Sequence, residues 1–139
     1  MRKLLESFLD SGIDNLRTMG SICPVAFIIT DTGTNICMLD FSNTKYAVET
    51  LRTLCRQLNA NKVIIMAEAY TSRDFSGIRP SKASDREESI VIQGEDVNGN
   101  SCAIIQPFHR TKNGKIQLKK KITQLSVSSS NRWSGIIKQ

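Results

Sequence analysis

Three carboxylates stand where acidic side chains could meet a metal ion. Asp31 follows the apolar run 23–30 and precedes Thr32-Gly33, Asp40 closes the next apolar run, and Glu68 ends a third, 63–67. Converging on one magnesium ion, they would suit phosphoester hydrolysis. A second set is basic: Arg73, Arg79, Lys82 and Arg86 share one polar stretch between the apolar runs 63–67 and 90–92. Guanidinium matches phosphate in a bidentate way, and a connection of roughly 18 residues is long enough to serve as a binding loop. A third set, Arg110, Lys119, Lys120, Lys121, Arg132 and Trp133, supplies charge for a phosphate backbone and one ring for stacking on a base.

Other chemistries find few groups to carry them. His109 is the only histidine, so a two-histidine phosphoesterase or a zinc hydrolase lacks its ligands. As a lone general base it would need a positioned partner, and none is visible. Cys23, Cys37, Cys55 and Cys102 contain no Cys-x-x-Cys pair and fall in apolar stretches, where a thiol acts as a small hydrophobe. No cofactor or structural metal is expected.

The net charge of +6 is localised. Residues 1–109 carry 11 basic and 13 acidic side chains, a balance of −2, whereas residues 110–139 carry 8 basic and none acidic. A one-signed segment on a neutral body suits a polyanion. Lysines at a strand edge also block unwanted pairing with no partner at all. The opening Met1-Arg2-Lys3-Leu4-Leu5 starts like an export signal, but Glu6 and Asp10 interrupt its apolar region. No apolar run has the length of a bilayer span. A cytoplasmic protein with no membrane partner is expected.

The elements that must position these groups follow from periodicity. Leu4, Leu5, Phe8, Leu9, Ile13 and Leu16 fall on one face of a helix over residues 2–17, with Gly12 expected to bend or stop it and Gly20 to mark a turn. Residues 23–30 form a near-continuous apolar strand, hence one buried on both faces and central in its sheet. A turn over 31–35 returns the chain as a strand over 36–41. Ala47, Val48, Leu51, Leu54, Cys55 and Leu58 define a second helix over 44–58. Ser42, Asn43 or Thr44 would cap its start, and Asn59 or Asn61 its end. Strands follow at 63–70, 89–94 and 102–109, and a short one holds Ile116 and Leu118, with Asn-Gly turns at 98–99 and 113–114. Pro107 restricts its strand to an edge, an end or a bulge. Residues 85–88 would pair locally and fix the start of the fourth strand.

The expected fold is α+β: an antiparallel sheet of five to six strands with two helices on one face, in the order α-β-β-α-β-β-β(-β). Residues 1–122 form the domain, and residues 123–139 a basic, Ser-rich tail. This element order resembles the profilin-like and roadblock-like folds over roughly the first 110 residues, through order alone. Those folds often form symmetric dimers or bind small ligands and peptides.

Two local resemblances bear on chemistry. Asp31-Thr32-Gly33 after an apolar strand is similar to the catalytic triplet of retroviral-type aspartic proteases, but the helix at 44–58 has no place in that all-β fold. The phrase from Phe27 to Asp40 looks like the first phosphate hairpin of actin-like ATPases and ribonuclease-H-like nucleases. The chain is too short for the ATPase, and nothing acidic follows Asp96 to complete the nuclease set.

The reading is therefore a non-catalytic binding module, a homo-oligomer, engaging an anionic ligand (nucleic acid or nucleotide-like) through the basic loop and tail. It would suit an accessory protein of a phage or mobile element. The alternatives are a metal-dependent nuclease or phosphoesterase using Asp31, Asp40 and Glu68, and a structural oligomer subunit with a protein partner.

Overall fold

In the computed structural model, residues 1–71, 86–127 and 133–137 are described. The elements are α1 (Arg2–Met19), β1 (Val25–Thr30), β2 (Gly33–Met38), a 3-10 turn (Phe41–Asn43), α2 (Thr44–Gln57), β3 (Lys62–Thr71), β4 (Glu87–Asp96), β5 (Ser101–Arg110), β6 (Ile116–Leu118) and β7 (Ile122–Gln124). The strands form one antiparallel sheet in the order β2-β1-β3-β4-β5-β6, with β7 also paired to β5. The α+β class and the rough element order hold, with seven strands among the described residues rather than five or six.

Both helices end where local chemistry stops them. Gly20 takes φ 82° and donates its N–H to the Leu16 carbonyl, closing α1. Asn43 accepts from the Tyr46 N–H at 3.2 Å to open α2, and Asn59, at φ 53°, turns the chain after it. Gly12 does not stop α1, which runs unbroken from Arg2 to Met19. A Cβ there would lie 2.7 Å from the Met66 Sδ, so the residue is small because the helix rests directly on β3.

The helices cover opposite faces of the sheet, which corrects the expectation of one shared face. Alternate residues of a strand point to alternate faces. On β3, Ile64 and Met66 join Leu5, Leu9, Ile13 and Leu16 of α1, together with Ile90, Ile92 and Ile104. Val63 and Ile65 join Val48, Leu51 and Cys55 of α2, together with Ala26 and Ile28. β1 and β3 are apolar at both parities, so each face needs its own cover. Burial pushes the Cys55 thiol up to about 11, helped by Glu95 and Cys37, consistent with a core methyl-like role.

Residues 123–127 and 133–137, expected as part of a tail, meet the body. Ile122–Gln124 pairs with Ala103–Ile105. Ile136 is fully buried in the α2-side core beside Ile137, and its N–H donates to Glu95 Oε1 at 2.8 Å. Trp133 lies 5.3 Å from Phe41, centroid to centroid.

Pro107 sits in β5, opposite Ser89 on the β4 side. On its other side β5 changes neighbour, from β7 opposite residues 103–105 to β6 opposite residues 108–110, and Pro107 falls in the gap. The Lys119 N–H donates to the Pro107 carbonyl at 2.9 Å. Proline has no N–H to return to the Lys119 carbonyl. The buried Gln106 supplies it: its Nε2 donates to the Lys119 carbonyl at 2.7 Å and to the Pro107 carbonyl at 2.9 Å. Gln106→Leu keeps the bulk and removes that donor. It is expected to lower stability by about 1–3 kcal/mol, read as a reduced urea midpoint with an unchanged slope.

Candidate functional site

The basic surface forms at the β6–β7 edge. β6 is bounded by Lys115 and Lys119, and Lys119, Lys120 and Lys121 fill the step between β6 and β7. The fold brings the other end of the chain to this edge. Glu6 Oε1 lies 3.6 Å from Lys121 Nζ and 3.5 Å from Arg2 Nε. One carboxylate thus holds Arg2 beside the lysine triplet, and Lys3 follows Arg2 in the same first turn of α1. Lys119 Nζ reaches Glu87 Oε2 at 2.7 Å. Lys3, Lys112, Lys115 and Lys120 are exposed and make no ion pair among the described residues. These pairs are exposed ones, so they orient side chains more than they stabilise the fold.

Next to the edge, the ends of β3, β4 and β5 frame a cleft of about 250 Å³ lined by Tyr70, Arg86, Glu87, Glu88, Phe108, His109 and Lys119. Tyr70 is 45% exposed, and the Arg86 guanidinium carbon lies 5.3 Å from its ring centroid. Across the sheet Glu87 meets Lys119 and Glu88 meets Arg110, while Asp85 lies outside the described residues.

Arg110 is engaged within the fold. Its Nε donates to Glu88 at 3.1 Å, one terminal nitrogen donates to the Gly20 carbonyl at 2.8 Å, and the other lies 3.5 Å from Glu68. The other oxygen of Glu68 accepts the Ile22 N–H at 2.6 Å. The guanidinium also lies 5.3 Å from the Phe108 ring centroid. One side chain therefore ties the end of α1, the α1–β1 connection, β3, β4 and β5.

The three carboxylates do not converge. Asp31 lies in the β1–β2 turn and accepts from Asn61 Nδ2 at 2.6 Å, at the end where Ile29 faces Lys62. Glu68 lies beyond Met66 at the other end of β3, roughly 20 Å away at about 3.3 Å per residue. Asp40 opens the 3-10 turn by accepting from the Ser42 N–H at 2.9 Å, and Ser42, through side chain and backbone, holds it below the usual carboxylate range. Among the described residues no three His, Cys, Asp or Glu side chains gather as a metal site.

Of the anticipated ligand-binding residues, Lys119, Lys120 and Lys121 share one surface and Arg86 adjoins it. Arg110 is taken up by the structural tie, and Trp133 packs against the α2-side core. Arg73, Arg79, Lys82 and Arg132 lie outside the described residues. Sequence reading missed Arg2, Lys3 and Tyr70. Their only signal was type, since nothing local indicates that they lie near Lys119–Lys121. Against protein-family models, curated proteins and solved structures, the chain finds no match. No helix among the described residues is long and apolar enough to cross a membrane.

Arg110→Met keeps an unbranched side chain over Phe108 and removes the donors. A loss of about 1–2 kcal/mol is expected, the lower part of the charge-assisted range because the side chain is 35% exposed. Hydrogen exchange at the Ile22 amide should accelerate beyond the global change, because Glu68 loses the group that orients it.

Proposed function

We propose that the protein is a non-catalytic binding module for nucleic acid, engaging the phosphate backbone through Lys119, Lys120 and Lys121 together with Arg2 and Lys3. The observation that carries this reading is the pairing of Glu6 with both Arg2 and Lys121. It joins basic residues from both ends of the chain into one surface. Exposed ammonium groups along an edge follow a polyanion without reading its sequence, and they release its counterions on binding.

The adjoining cleft supports a single strand over a duplex. Tyr70 keeps an exposed ring beside Arg86 and Lys119. Stacking platforms bordered by cations bind unpaired bases with little regard to sequence. On this reading the stacking ring is Tyr70 rather than Trp133. Glu87 and Glu88 in the same cleft repel phosphate, so the backbone would run along the lysines and a base would turn inward.

Changing Lys119, Lys120 and Lys121 together to Gln is expected to weaken binding of a labelled single-stranded oligonucleotide. The slope of log K against log salt should become shallower by about 2, at roughly 0.7 for each phosphate no longer neutralised. Tyr70→Ala should cost about 1–3 kcal/mol on a single strand and little on a duplex. Asp31→Asn should change neither. An unchanged salt slope in the lysine variant would remove the reading, and magnesium-dependent cleavage lost in Asp31→Asn would replace it with the hydrolytic one.

A further inference from the structure

The opposite edge of the sheet, β2, has no guard among the described residues. Its sequence from Gly33 to Met38 is GTNICM, with no charge and no proline. The β6–β7 edge, by contrast, consists of two three-residue strands set among Lys115, Lys119, Lys120 and Lys121. Edges left without charge, proline or cover are templates for another strand.

The parity of β2 sharpens this. The Leu39 N–H donates to the Pro24 carbonyl at 3.0 Å, and in an antiparallel ladder the facing groups alternate. Gly33, Asn35 and Cys37 therefore face β1, while Thr34, Ile36 and Met38 turn their N–H and C=O groups to the open edge. Those three residues lie opposite Ile29, Phe27 and Val25, whose side chains lie on the α1 face. α1 does not reach over them: Ile36 is 67% and Met38 63% exposed. The residues with free backbone groups thus also carry the uncovered side chains.

We propose that a second copy of this chain fills the edge, β2 pairing antiparallel with β2 about a two-fold axis at Ile36. Ile36 then faces its own symmetry mate, and Thr34 faces Met38 of the partner subunit. All three residues exchange backbone bonds in both directions, and the apolar side chains meet on one face. Charge favours this arrangement over head-to-tail stacking. The lysine-bearing edge lies five strands away, roughly 24 Å at about 4.8 Å per strand, so the two-fold pair keeps the basic edges apart. Head-to-tail pairing would instead seat β2 on the short lysine-flanked strands. In the two-fold register Asp40 faces Thr32 of the partner subunit, so the acidic residues at the strand ends do not oppose each other.

Sedimentation equilibrium of the full chain, in high salt and without nucleic acid, tests this independently of the nucleic-acid reading. The wild type is expected to be a dimer, and Ile36→Lys a monomer at the same concentration with its melting transition intact, since Ile36 is exposed. With Cys23 and Cys37 changed to Ala, Ile36→Cys should cross-link into dimers on mild oxidation and Met38→Cys should not. A monomeric wild type would overturn the proposal and leave the edge to a strand of another protein. A dimer that survives Ile36→Lys, or that cross-links through Met38→Cys in preference to Ile36→Cys, would overturn it in favour of a different interface.

Discussion

The pairing of β1 with β3 constrains everything else in the fold. Ala26 and Ile28 point one way and Val25 the other; Val63 and Ile65 point one way and Ile64 and Met66 the other. A strand pair apolar at both parities is stable only when both faces are shielded from water. One helix cannot do that. α1 takes one face, approaching closely enough that Gly12 and Gly94 admit no Cβ without displacing Met66 or Met1 and Leu5. α2 takes the other face with help from Ile136 and Ile137, so the last described residues are recruited into the core.

Once α1 is fixed, its two ends decide where the charges meet. Its C-terminal end delivers the Gly20 carbonyl and the Ile22 N–H to Arg110 and Glu68. A guanidinium bonded to two carboxylates and a carbonyl has little left to offer a ligand. Its N-terminal end delivers Arg2, Lys3 and Glu6 to the β6–β7 edge, where the cations outnumber the acids. The same helix thus consumes one arginine in holding the fold and adds two basic residues to the candidate surface.

The two edges of the sheet are managed in opposite ways. β5 divides its outer side between two short strands, with a proline between them whose missing donor is replaced by Gln106. Lysines flank both pieces. β2 is longer, uncharged and, among the described residues, open. A protein that guards one edge with charge and leaves the other bare separates two kinds of association: polyanion on the charged side, strand on the bare side.

Local signals in the sequence determined the elements, because they depend on neighbours a few residues apart. The helical stripes, the Asn43 cap, the Asn59 turn and the alternation of the strands all lie within such windows. The charge asymmetry was equally legible, since it needs only counting. The sequence also showed, in the continuous apolar run of β1, that two faces must be buried. Only the tertiary structure decided which helix covers which face, because a stripe shows that a helix is amphipathic and not which side of a sheet it meets. It also decided that Asp31 and Glu68 sit at opposite ends of β3, that Arg110 is a tie, and that Arg2 joins Lys121. Those facts follow from strand register and chain crossing between distant segments, and no local pattern of residue types encodes them.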